Sequence, residues 1–304
     1  MKILFPVWKR RHRYNWGHEL FREEIARQHE VIFYGEGYDC DYDPKLDIFD
    51  ILSIYGEPDI ILVHYEHRNN RGPYEKLGAV TNIPKVHIAG DYFEHNRSRY
   101  DKALKDQKYD LIFAFTRHWM NEMKKNKVAN KVYTLPFCVD INIYKKLDIP
   151  KTIDVMTSCT VRGDKYPNRG SIRPLVKKMN ILCCTRRVYH ENYIEHINKS
   201  KIFVANMDID GSLSQKFTET MSCGTFFLTD KPGDFDFLGY RDKEHLVLYK
   251  DFSDLEDKIR YYLKHEEERE IIAKAGMDFV RKYHSAEVRV EEFTKVVRDE
   301  LEIP

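Results

Sequence analysis

Residues 202–229, IFVANMDIDGSLSQKFTETMSCGTFFLT, decide the fold. The stretch reads as an apolar strand over 202–206, a turn at Asp210-Gly211-Ser212, a helix over 213–223 and a second apolar strand over 226–229. A strand, a helix and a strand in this order bring the chain back to start again in the same direction, so the two strands run parallel. Both strand runs are continuously apolar rather than alternating, as in strands covered on both faces. Gly224 is placed to end the helix. One acid, Glu219, stands in its run of small and apolar residues, three positions after Lys216 and on the same face. Two readings are open for it: half of an exposed intrahelical ion pair, or a carboxylate set in a crevice to hold a ligand.

The same rhythm extends through the chain. Upstream, strands are expected over 3–8, 31–34, 60–64, 86–89, 111–115 and 132–136, with helices over 17–28, 46–55, 100–105 and 117–125 between them. A polar, proline-containing linker over 143–152 interrupts the series. It resumes with strands over 153–158, 181–184 and 246–249 and helices over 172–179 and 189–197. From Asp254 the chain is helical and charged, with a hinge-like Gly276 and a last helix over 286–301. The pattern predicts an α/β protein of two Rossmann-like, doubly wound parallel-sheet domains facing each other across a cleft. A ligand belongs at the carboxyl ends of the strands, between the halves.

Composition narrows the function classes. The 304 residues are 42% hydrophobic, and 50 Lys+Arg against 49 Asp+Glu leave a net charge of +1, which argues against a bulk nucleic-acid or membrane binder. The six cysteines, Cys40, Cys138, Cys159, Cys183, Cys184 and Cys223, form no CxxC pair and lie mostly in apolar runs, as expected of free thiols in a reducing compartment. The apolar run at the N-terminus is too short for a signal peptide and its basic residues follow it; no run reaches transmembrane length. A cytoplasmic location is the expectation.

The motifs carry a resemblance. KFTETMSCGTFFLTD, residues 216–230, resembles the donor-site segment of GT-B glycosyltransferases: a basic residue, then Phe-x-Glu, a small-residue Cys-Gly end and an apolar strand. Residues 238–293 resemble the C-terminal pattern of the same enzymes, LPFCVDINIYKK (135–146) their Pro-x-Gly-Val-Asp-x-x-x-Phe signature with Cys138 in place of glycine, and DLIFAFTRHWMNEMKKN (110–126) the element before it. The likeness covers about 110–292, is nearest to the spore-maturation-type branch of the retaining, nucleotide-sugar-dependent group 1 enzymes, and touches the first hundred residues through fold rhythm alone. It implies an acceptor domain over 1–145, a donor domain over 146–284, and a C-terminal helix over 285–304 packing back on the first domain.

The resemblance also implies roles. Glu219 would accept the ribose hydroxyls of the donor, with Lys216, Thr160, Gly211, Ser212 and Leu213 completing the nucleotide-sugar site. Arg162 and Arg169, in TSCTVRGDKYPNRGSIRP, would neutralise the diphosphate as it leaves. Many relatives carry a second glutamate eight residues before the first; here that position is Gly211, beside Asp210. The basic, aromatic-rich stretch WKRRHRYNWG, with Arg10, Arg11 and Arg13, follows the first strand and reads either as an ordinary charged surface loop or as the binding stretch for an anionic acceptor, with saccharide, lipid, protein and modified nucleic acid all open. Asp91 is the expected catalytic contact near the sugar, with His95 on the acceptor side. His64 and His67 point to opposite faces of a continuing strand and do not make a zinc motif, and His64 and His87 read as structural. The expected reaction is a metal-independent, retaining hexosyl transfer from a UDP- or GDP-sugar, with no tightly bound cofactor and closure about 143–152. An epimerase or phosphorylase on the same fold, or a nucleotide-sugar- or nucleic-acid-binding protein with a degenerate site, are the rivals.

Overall fold

The computed structural model describes the chain except for residues 8–15, 39, 65–73, 91, 93–96, 159–168, 186, 187, 189 and 207–212, and the side chains of 16–20, 169, 190 and 191. The chain divides into two compact units. Unit 1 comprises Met1–His12, Arg22–Pro136 and Arg289–Pro304; unit 2 comprises Arg13–Phe21 and Phe137–Val288.

Unit 1 holds a six-stranded sheet of β1 (Lys2–Pro6), β2 (Glu30–Tyr34), β3 (Ile60–His64), β4 (Lys85–Ile88), β5 (Leu111–Ala114) and β6 (Lys131–Thr134), in the order β2-β1-β3-β4-β5-β6 and parallel throughout. The crossovers carry α1 (Trp16–Gln28), α2 (Ile48–Tyr55), α3 (Arg97–Gln107) and α4 (Arg117–Lys125). Strand β3 is buried along its whole length, which explains its unbroken apolar run. Helix α2 begins where Asp47 caps Phe49 and Asp50 while the Asp50 carboxylate accepts the Asp47 N–H, and the hydrogen bond from Lys76 lowers the Asp47 pKa from its ordinary value.

Unit 2 holds five parallel strands, β7 (Ile153–Met156), β8 (Cys183–Cys184), β9 (Ser200–Val204), β10 (Phe226–Thr229) and β11 (Val247–Leu248), in the order β11-β10-β9-β7-β8. Helices α5 (Arg169–Lys178), α6 (His190–Lys199), α7 (Lys216–Ser222), α8 (Phe252–Lys264) and α9 (Glu266–Tyr283) belong to it. Apolar clusters cover both faces: Phe203, Phe217, Phe227 and Tyr240 on one, Ile202, Val204, Phe226 and Tyr262 on the other. In each sheet the first two strands reverse the direction in which later strands are added, so each has a switch point, between β1 and β3 and between β7 and β9.

Helix α10 (Ala286–Leu301) closes the chain, and its Phe293 packs on Phe113 of β5 with ring centroids 5.1 Å apart. Two local expectations are corrected. Gly276 is not a hinge: α9 runs through it unbroken, and a Cβ there would lie 2.1 Å from the His245 carbonyl oxygen, so glycine serves close packing. The stretch over 143–152 is not a free linker, because it is fastened to unit 2. The Leu147 N–H donates to Asn198 Oδ1 at 2.8 Å, Asn198 donates to the Lys145 carbonyl at 3.1 Å, and Lys151 Nζ to the Ser200 carbonyl at 2.8 Å. Polar sequence there reflects internal hydrogen bonding as well as solvent.

Candidate functional site

Helix α7 starts at Lys216, three residues later than the sequence pattern suggests, because Leu213 and Ser214 approach it as buried, non-helical chain. It ends at Cys223, and Gly224 takes φ +68°, a left-handed conformation that side chains resist. Phe217 anchors the inner face against Phe227, with centroids 4.5 Å apart, and every residue from Phe217 to Ser222 is buried.

That burial settles the first reading of Glu219. It is 8% exposed, so it is no surface acid. The Lys216 ammonium, half-buried one turn away, attracts its carboxylate through charge, the buried Tyr144 hydroxyl faces it, and the buried Tyr193 side chain lies close by. Burial outweighs these partners and raises the Glu219 pKa above its ordinary value. The same proximity acts in reverse: burial, then the Glu219 charge, drives the Tyr144 phenol well above its usual range and pushes the neighbouring Cys223 thiol up to about 12.

Tyr144 is held in place from two sides. Its carbonyl accepts the Ser222 hydroxyl of α7 at 2.5 Å, and its N–H donates to the Asp140 carbonyl at 2.9 Å. Asn198 of α6, 3% exposed, ties the next residues down while also donating to the Ile194 carbonyl at 3.0 Å. Segment 140–147, α6 and α7 thus form one hydrogen-bonded cradle around Glu219. Tyr144 occupies the aromatic position that ends the Val-Asp-x-x-x-Phe-like signature, and the hydroxyl that tyrosine adds there was the available signal; Tyr193 gave none.

At the switch point of unit 2, the residues leaving β7 and β9 are polar and buried. Thr157 and Ser158 follow β7, and Asn206 follows β9, with its Oδ1 buried and unpartnered among the described residues. The loop sequences that continue from them contain Thr160 and Arg162, and Gly211 and Ser212, all of which lie outside the described residues. So do Arg10, Arg11, Arg13, Asp91 and His95. Arg169 is the first residue of α5, and Leu213 packs into the apolar cluster of unit 2 with 6% exposure. Of the expected donor contacts, then, Glu219, Lys216 and Leu213 come together on and just before α7. His87 is structural, stacked on Tyr109 at 4.7 Å and 3.4 Å from the Tyr100 hydroxyl. His64 is buried between the rings of Phe5 and Phe115. Among the described residues no three His, Cys, Asp or Glu side chains cluster as metal ligands, and no helix is long and apolar enough to cross a membrane.

No curated protein matches the chain in sequence. Residues 149–295, just under half of the chain, match the family described as glycosyl transferase-like. Sucrose-phosphate synthase from Thermosynechococcus elongatus has the same fold, with a TM-score of 0.68 at 13% identity over 99% of each chain. The Anabaena protein HepE, solved in complex with UDP and glucose, gives 0.66 at 12% identity over 98% of this chain and 100% of that one. An alpha-glucosyltransferase in complex with UDP-glucose and DNA containing an abasic site gives 0.64 at 13% identity, over 97% and 98% respectively. The chain therefore has the fold of GT-B glycosyltransferases and carries a glycosyl transferase-like pattern over 149–295, which together support a sugar transferase.

Proposed function

We propose that the protein moves a sugar from a UDP-sugar to an anionic acceptor, without a metal ion and with retention at the anomeric carbon. The observation that carries the donor half is Glu219: a buried carboxylate beside Tyr144 and Tyr193, on the helix beside the switch point of unit 2. An ionised carboxylate is acceptor-only and suits a pair of ribose hydroxyls. HepE, of like fold, binds UDP and glucose, which supports UDP over GDP as the nucleotide. Asn206 Oδ1, buried without a partner among the described residues, is a further group available to the donor.

In this reading the bond from the anomeric carbon to the diphosphate breaks and UDP takes the electron pair. Arg162 and Arg169 neutralise the charge that develops, with Lys216 nearby, and the backbone at Thr160, Gly211, Ser212 and Leu213 lines the sugar and phosphates. The acceptor oxygen bonds to the carbon on the face that UDP vacates, and its proton leaves with the diphosphate. Asp91 contacts the sugar, and Arg10, Arg11, Arg13 and His95 face the acceptor. The spore-maturation-type branch, the acceptor and donor domains over 1–145 and 146–284, and a cytoplasmic location belong to the same proposal. A panel of UDP-, GDP- and ADP-sugars tests it by thermal denaturation: a donor at a hundred times its Kd adds about 2.7 kcal/mol of stability. Stabilisation by a UDP-sugar is expected; a flat response to every nucleotide overturns the reading.

A further inference from the structure

The carboxyl edge of unit 1's sheet holds a buried cation that donor binding does not use. Arg22 of α1 is 5% exposed, with its guanidinium Cζ 5.9 Å from the centroid of the Phe5 ring. Its Nε and Nη1 are buried and have no hydrogen-bond partner among the described residues. The other buried arginines among the described residues are neutralised: Arg269 pairs with Glu266 and Glu270, and Arg289 with Glu292. A cation withdrawn from water is unfavourable without a counter-charge, and none is supplied among the described residues, so this arrangement is one that a ligand of opposite charge completes.

Its place in the fold points the same way. Phe5 is the next-to-last residue of β1, and its ring lies 6.4 Å from that of His64, the last residue of β3. His64 lies in turn 6.3 Å from Phe115, just past β5. Strands β1 and β3 flank the switch point of this sheet, where doubly wound sheets take their ligands.

We propose that Arg22 binds an oxyanion, a phosphate or carboxylate group carried by the acceptor, at a site on unit 1. Calling that ligand the acceptor rests on the glycosyltransferase reading; the anion site itself does not. Guanidinium N–H groups aimed at a charged oxygen give the strong, directional bonds such a group needs, and dry surroundings strengthen them.

The test is calorimetric titration of the full chain with inorganic phosphate and with acetate at constant ionic strength, in saturating UDP so that the donor's own phosphate contacts are filled. Arg22→Met removes the buried charge while keeping the bulk of the side chain. It is expected to fold, to bind UDP as the wild type does, and to lose about tenfold or more in affinity for the preferred anion. Arg22→Lys keeps the charge and is expected to retain part of that affinity. Preference for phosphate or for acetate separates a phosphorylated acceptor from a uronate-like one. Equal anion binding by wild type and Arg22→Met, or no anion binding by the wild type, overturns the site. Failure of the wild type to bind UDP counts against the donor reading instead, and the anion titration, repeated without UDP, is then read alone.

Discussion

Replacing Glu219 by glutamine separates a ligand-holding acid from a structural one. The carboxylate is buried, faces Tyr144 and Tyr193, and has its pKa raised chiefly by burial. A carboxyl whose folded-state pKa lies above its unfolded value favours the fold while protonated, and that contribution is lost as pH rises through the folded value. At pH 7 the Glu219 charge is therefore no source of stability, and the amide oxygen of Glu219→Gln still accepts from a tyrosine hydroxyl. The melting temperature of the free protein should stay within about 2 °C of wild type or rise. Binding should behave oppositely. A hydrogen bond from a ribose hydroxyl to a charged acceptor contributes about 1.5–3 kcal/mol, so loss of the charge should weaken UDP by about 10- to 150-fold. Calorimetric titration with UDP and thermal denaturation of the same preparation measure both quantities. A variant that binds UDP like wild type removes Glu219 from the donor site, and one that melts many degrees lower makes it a structural acid.

Because the Glu219 pKa is raised, UDP affinity should fall on acidification at a higher pH than an ordinary carboxylate would give. Tyr144→Phe removes a group that stabilises the ionised form, so it should move that fall further up in pH, with Lys216, Tyr193, Cys223 and Arg281 left as the neighbouring titratable and charged groups; superimposable profiles for the two proteins would refute the coupling. Gly276→Ala forces a Cβ to 2.1 Å from a backbone oxygen and should destabilise unit 2 by about 1–3 kcal/mol in urea unfolding, whereas a neutral substitution would mean that α9 shifts freely. Phe293→Ala empties a fully buried position against Phe113 and should cost about 3–5 kcal/mol, measured by the same unfolding; a loss below about 1 kcal/mol would show that α10 is not part of the core of unit 1.

The fold was legible because its signal is local and repeated. Unbroken apolar runs such as Ile60–His64 and Phe226–Thr229 become strands buried on both faces, and a helix between consecutive runs permits only parallel pairing. Sequence also located Glu219 and the glycine that ends its helix, since both sit at fixed spacing in one short segment. What it could not decide was burial and partnership across the chain. Whether Glu219 faced water depended on Tyr144 and Tyr193, which lie 75 and 26 positions away and meet it only because Asn198 and Ser222 tie segment 140–147 to α6 and α7. Gly276 looked like a hinge because a glycine within a helix pattern reads the same whether it bends the chain or admits another backbone, and only the approach of His245 distinguishes the two. Nothing in the helical pattern over 17–28 sets Arg22 apart from the other charged residues of that helix. Its lack of a carboxylate partner among the described residues is a property of the packed sheet edge, set by Phe5 and by the strand order that puts β1 beside β3. Spacing along the chain fixes which elements form; the dielectric and the partners that a charge meets are fixed by what folds over it.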